Sequence, residues 1–177
     1  MEIKKNIEQE LKLYQEKIKK NIEILMEKGL LHEAKDLLAE YEKIMPADVD
    51  IYSIKGIIAM MEGDLEEAEK VLKEGRDKDS NNADILYNLA YLYEMLGKKA
   101  VSSFLYKHAY YAYKEENKET ECDIIFDKLG GDVEFKVLIG SCINQKQRVL
   151  AQFFDSIEKL EIEGLQVSYF FIDDNEQ

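Results

Sequence analysis

Residues 49–82, VDIYSIKGIIAMMEGDLEEAEKVLKEGRDKDSNN, decide the fold. Ile54, Ile57, Ile58 and Met61 stand at i, i+3, i+4 and i+7, the spacing of one buried helical face. After Gly63 a second such face follows, made of Leu65, Ala68, Val71 and Leu72. The glycine between them suits a helix end, because it takes the left-handed backbone conformation at no steric cost. The segment therefore predicts two short amphipathic helices joined by a tight turn. Neither helix can bury its face alone, so neighbouring segments must supply the missing surface.

They do so by repetition. Gly29, Gly63 and Gly97 lie 34 residues apart. Five positions after each glycine comes a small residue (Ala34, Ala68, Ser102), and four further a large one (Leu38, Leu72, Tyr106). Three further again stand Tyr41, Gly75 and Ala109. Three units follow, at about 15–48, 49–82 and 83–116. The period, the glycine, HEAKDLL at 32–38 with Pro46 closing its unit, and EEAEKVL at 66–72 together resemble the tetratricopeptide repeat. That resemblance implies a mainly α fold, an α-solenoid of three helix-turn-helix repeats.

Both ends of the array continue in helix. Ile3, Ile7, Leu11 and Tyr14 run the first helix backward on one stripe, and Cys122, Ile125, Phe126 and Leu129 form a further face stopped by Gly130 and Gly131. Residues 1–130 are thus read as the repeat array with an N-terminal extension and a C-terminal capping helix. Cys122 is read as a core residue, since free cysteine behaves as a small apolar side chain.

Charge narrows the partners. The chain has 177 residues, 46% of them hydrophobic, with 24 basic against 37 acidic residues and a formal charge of −13. Such a field repels phosphate backbones, so nucleic acid is not expected as a partner, nor are the tyrosines at 106, 110, 111 and 113 expected to stack bases. No apolar run reaches the roughly 18 residues of a membrane span, and residues 1–10 lack the apolar core of a secretory signal. Membrane insertion is not expected, and the reading is cytoplasmic. Two cysteines and two histidines without zinc spacing give no reason to expect a metal or a cofactor.

By the tetratricopeptide resemblance, the first helix of each unit lines a concave groove. Its inward positions are Glu16, Lys19, Glu23 and Met26, then Asp50, Ser53, Ile57 and Met60, then Asp84, Tyr87, Tyr91 and Glu94. Of these, Lys19, Glu23, Ile57, Met60, Tyr87, Tyr91 and Glu94 are the expected partner-binding residues. Methionine packs adaptably and tyrosine gives rigid contact area, so a helix or extended peptide with apolar anchors and basic flanks fits. Glu23 stands where the carboxylate-clamping members of that family need an asparagine.

Beyond residue 130 the pattern changes. VEFKVLIGSCIN alternates Val133, Phe135, Val137 and Ile139 before turning wholly apolar, an amphipathic segment carries Val149, Phe153, Ile157 and Leu160, and LQVSYFFIDDNEQ forms a second apolar run. The expectation for 131–177 is one βαβ unit, with loops at 141–144 and 173–175 side by side. This resembles the opening of a family-2, GT-A type glycosyltransferase domain, which implies nucleotide-binding roles for Ser141, Asn144, Asp173 and Asp174. The metal-binding Asp-x-Asp and the base of that family would lie beyond Gln177. UDP-sugar and manganese or magnesium would be needed only by a complete domain, so this chain alone is expected to have no catalytic residues and no metal. Two strands do not make a stable sheet, so the domain looks truncated or self-associating through the βαβ segment. The leading reading is a protein-interaction module joined to a glycosyltransferase-like fragment; the alternative is the non-catalytic part of a nucleotide-sugar-dependent glycosyltransferase.

Overall fold

The computed structural model describes the backbone of residues 2–143 and 165–173 and the side chains of residues 6, 7 and 9–134. Among the described residues seven helices come first: α1 (Glu2–Glu27), α2 (Leu31–Ile44), α3 (Asp50–Met61), α4 (Leu65–Lys78), α5 (Ala83–Met95), α6 (Lys99–Glu115) and α7 (Glu119–Lys128). Two strands follow, β1 (Phe135–Ile143) and β2 (Leu165–Asp173). The chain divides into two compact units, Met1–Ala112 and Tyr113–Gln177.

In the first unit the repeat is written in hydrogen bonds. Gly29, Gly63 and Gly97 have φ of +71°, +81° and +72°. At each turn the glycine N–H donates to the carbonyl three residues back, and the next N–H donates to the carbonyl five residues before itself: Leu30 to Leu25, Asp64 to Ala59, Lys98 to Tyr93. These bonds satisfy carbonyls that a helix end leaves without partners. Starting signals vary more. Asp64 caps α4 by accepting from Glu67 N–H at 3.0 Å, and Asn82 caps α5 by accepting from Ile85 N–H at 3.0 Å. Leu30, at the same place before α2, makes no side-chain cap.

The small residues earn their spacing by burial. Ala34, Ala68 and Ser102 are buried, as are Leu38, Leu72 and Tyr106 four positions on. Gly56 and Gly75 mark the tightest approaches of α4. A Cβ at Gly56 would fall 2.5 Å from the Leu72 side chain, and one at Gly75 would fall 2.5 Å from Tyr52 Cβ. On α3 the buried face is Ile51, Ile54 and Ile58, with Ile57 half-buried. Met61, expected on that face, is 47% exposed, because α3 ends there and the chain turns away. The N-terminal stripe is likewise exposed at Ile7, Leu11 and Tyr14.

The glycine period extends one step further than the three units. Gly131 lies 34 residues after Gly97, and Gly130 and Gly131 end α7 with positive φ. Helix α7 therefore holds the first-helix position of a fourth unit in the sequence period. Asn117, with φ of 59°, makes the turn that precedes it. Cys122 on α7 is half-buried, with its thiol pushed up first by that burial and then by the carboxylates of Asp123 and Glu121. Such a thiol holds little thiolate, the reactive form.

In the second unit β1 and β2 pair in parallel, from Phe135 opposite Leu165 to Ile143 opposite Asp173. Ser141, expected in a polar loop, lies inside β1 opposite Phe171. The apolar run continues past it to Ile143, so the ladder does too. The βαβ unit as a whole is not supported, since the helix expected between the strands, together with Asn144 and Asp174, lies outside the described residues.

Candidate functional site

Helices α3 and α5 are the first helices of consecutive units and lie against each other. One buried polar contact ties them: Asn88 Nδ2 donates to Ser53 Oγ at 2.8 Å. Both side chains are nearly sequestered from water, so losing either would leave the other unsatisfied. Above this bond α3 contributes Ile57, Met60 and Met61, and α5 contributes Tyr87, Tyr91 and Met95. Together they line an open cleft of about 400 Å³. Tyr87, Tyr91 and Met95 follow one another at four-residue steps, which keeps them on one helical face.

The cleft is held from behind. Tyr87 meets Tyr106 of α6 edge to face, with ring centroids 5.4 Å apart and planes at 66°, a favoured aromatic geometry. Tyr106 is buried and donates its hydroxyl to Glu94 at 2.8 Å. Burial first, and the Glu94 carboxylate second, push that phenol far up, so it remains a donor. Tyr91 and Met95 present about half their surface to solvent, being 43% and 48% exposed.

Four of the expected groove residues, Ile57, Met60, Tyr87 and Tyr91, thus meet in one place. Glu94 stands one step behind them through Tyr106. Lys19 and Glu23 do not line the cleft. The Lys19 ammonium lies 2.7 Å from Asp48 and 2.5 Å from Asp50, Tyr41 donates its hydroxyl to Asp48, and Asn82 Nδ2 donates to Asp50 at 3.2 Å. Lys19 therefore joins α1 to the loop before α3 and to the first residue of α3. Glu23 is exposed and accepts from Lys20 at 2.9 Å. The sequence reading missed Met61, Asn88 and Met95. Met61 and Met95 are one 34-residue period apart, so the repeat itself carried that signal.

This arrangement offers a mainly apolar contact area. Among the described residues no group of three histidine, cysteine or carboxylate side chains is placed to hold a metal ion, and no helix is long and apolar enough to cross a membrane. Asp48 and Asp79, each the first or last aspartate of an Asp-x-Asp triplet, accept from backbone N–H groups two residues on, as turn residues do.

Comparison with known families finds a match to the coatomer epsilon subunit over residues 22–128, from the last turns of α1 to the end of α7. No curated protein matches the chain significantly.

Proposed function

The chain belongs to the coatomer epsilon subunit family, and from that premise we propose that it is a protein-interaction scaffold whose α3–α5 cleft receives an apolar segment of a partner. The family's name makes its members subunits, hence proteins that work through other proteins. The observation that carries the reading is the cleft itself: two methionines of α3, one of α5 and two tyrosines on one open surface. Long, unbranched methionine side chains adapt to a partner, and the tyrosines give rigid area at small entropic cost. An acidic chain of net charge −13 favours basic flanks on the incoming segment. A cytoplasmic setting belongs to the same reading.

Sugar transfer does not belong to it. The matched region ends at residue 128, before β1, and nothing in the match supports a glycosyltransferase. The nucleotide-binding roles expected of Ser141, Asn144, Asp173 and Asp174 are therefore not carried forward.

Replacing Tyr87 and Tyr91 together by alanine removes the rigid part of the surface. Interfacial tyrosines of this kind contribute about 2 kcal/mol each, so partner recovery in affinity purification with quantitative mass spectrometry should fall at least about tenfold. Helix content by circular dichroism should stay the same. Undiminished recovery would sink the cleft as the binding site.

A further inference from the structure

A second open pocket lies between α2 and α4, over α3. Leu38, Ile58, Ala59 and Val71 are at its floor, and it encloses about 260 Å³. Its rim is two ion pairs that cross from α2 to the α3 segment. Lys35 Nζ lies 2.5 and 2.6 Å from the two Glu62 oxygens, and Lys55 Nζ lies 2.7 Å from both Glu42 oxygens.

The internal repeat shows what such a place accepts. One period on, the position of Ala59 is occupied by Tyr93, that of Lys35 by Glu69, and that of Val71 by Leu105. Tyr93 is buried, donates its hydroxyl to Glu69 at 2.9 Å, and has the Lys98 ammonium 5.0 Å from its ring centroid. The later unit thus fills with its own phenol the position that the earlier unit leaves open with a methyl group. Both environments pair an apolar floor with a carboxylate and an ammonium at the edge, which is the chemistry a phenol uses: ring burial, an O–H donor, and a cation near the ring.

We propose that the α2–α4 pocket binds the tyrosine side chain of a protein partner. The ring lies on Leu38, Ile58 and Val71 in the space above Ala59, and the hydroxyl donates to Glu42 or Glu62, whose carboxylates keep acceptor capacity beyond their lysine bonds. A single ring in a shallow open pocket binds only on the order of millimolar. The occupant is therefore a side chain carried on a partner's backbone rather than a free phenol. This site shares no residue with the α3–α5 cleft and does not depend on it.

The test is a methyl NMR titration of the full chain with three peptides, N-acetyl-Gly-Tyr-Gly-amide and its Phe and Leu counterparts. The tyrosine peptide should shift the methyl signals of Leu38, Ile58 and Val71 with millimolar saturation. The phenylalanine peptide should bind several-fold more weakly, and the leucine peptide should leave those signals in place. Ala59→Tyr should move the same signals without any peptide and abolish the response. The rim double variant Glu42→Gln, Glu62→Gln, which leaves the floor intact, should reduce the tyrosine response to that of phenylalanine. No shift with the tyrosine peptide, equal shifts with leucine, or a full response in a folded Ala59→Tyr protein would overturn the proposal. Loss of the tyrosine response in Ala59→Tyr with partner capture through Tyr87 and Tyr91 unchanged separates this pocket from the cleft.

Discussion

Lys19 shows how a residue placed on the expected helix can take partners that the repeat does not announce. Its position on α1 follows from the repeat, but its partners Asp48 and Asp50 are about 30 positions away in sequence, and no periodicity reports an ion pair across that distance. A long, flexible amine goes where the carboxylates are. Burial would raise the Asp48 carboxyl, but hydrogen bonds from Lys19, the Tyr41 hydroxyl and the Asp50 N–H outweigh it and hold the group below the usual carboxylate range. Because the folded value lies below the unfolded one, the stabilisation is fully present above the unfolded carboxylate range near pH 4 and is lost as pH falls through the folded value. The pair is partly exposed, so removing the cation by Lys19→Met should cost about 2 kcal/mol, between surface and buried ion pairs. For a chain of this size that lowers the melting temperature by about 5 °C at pH 7. Scanning fluorimetry should show the variant and the parent converging as pH falls below the usual carboxylate range. A gap that persists undiminished into acid would mean that Lys19 acts through packing of its stem and not through charge.

At the scale of the element, turns were more legible than contacts. Glycines at a fixed interval announce where helices stop because few other residues adopt positive φ, and all three of those turns are present. The α6–α7 turn was harder to read, since it falls between units, where the period carries no glycine, and is made by Asn117 with positive φ. On α3 and α4 the buried faces were legible to within one residue, whereas Ile7, Leu11 and Tyr14 of α1 and Phe126 of α7 are exposed. Met61 was put in the core because spacing cannot tell the last turn of a helix from its middle. Gly75 illustrates the opposite limit, a residue whose importance no pattern states. An added methyl there would meet Tyr52 Cβ at 2.5 Å and Ile85 Cδ1 at 2.8 Å, and neither a Cβ nor a buried isoleucine gives way easily. Overpacking of about 1–3 kcal/mol exceeds the roughly 1 kcal/mol that alanine gains over glycine inside a helix. Gly75→Ala should therefore lower the denaturation midpoint in urea, whereas an unchanged or raised midpoint would show that α4 can shift away from α3 and α5 freely.

For the molecule as a whole, the repeat array and its apolar cleft could be read from letters alone, and the family match ends at residue 128, where the helical pattern also ends. The C-terminal residues were legible as strands and not as a function. Alternating and apolar runs specify extended backbone, and the parallel pairing of β1 with β2 follows, but a shared strand pattern belongs to many folds with unrelated activities. The turns at Gly29, Gly63 and Gly97 carry one last consequence. Identical junctions at equal intervals make the chain divisible, so that a gene of this kind can shed or acquire a whole unit without creating a new kind of joint. Excision of residues 64–97 joins Gly63 to Lys98, and the new Lys98 N–H falls in line to bond Ala59 as Asp64 does now. The shortened chain loses α4 and α5 and should melt at a lower temperature, yet still melt cooperatively with undiminished helicity per residue by circular dichroism. Excision of residues 64–93, four short of the period, should yield a chain without a sharp transition. If both shortened chains behaved alike, the spacing would be a relic of ancestry and not a condition of folding.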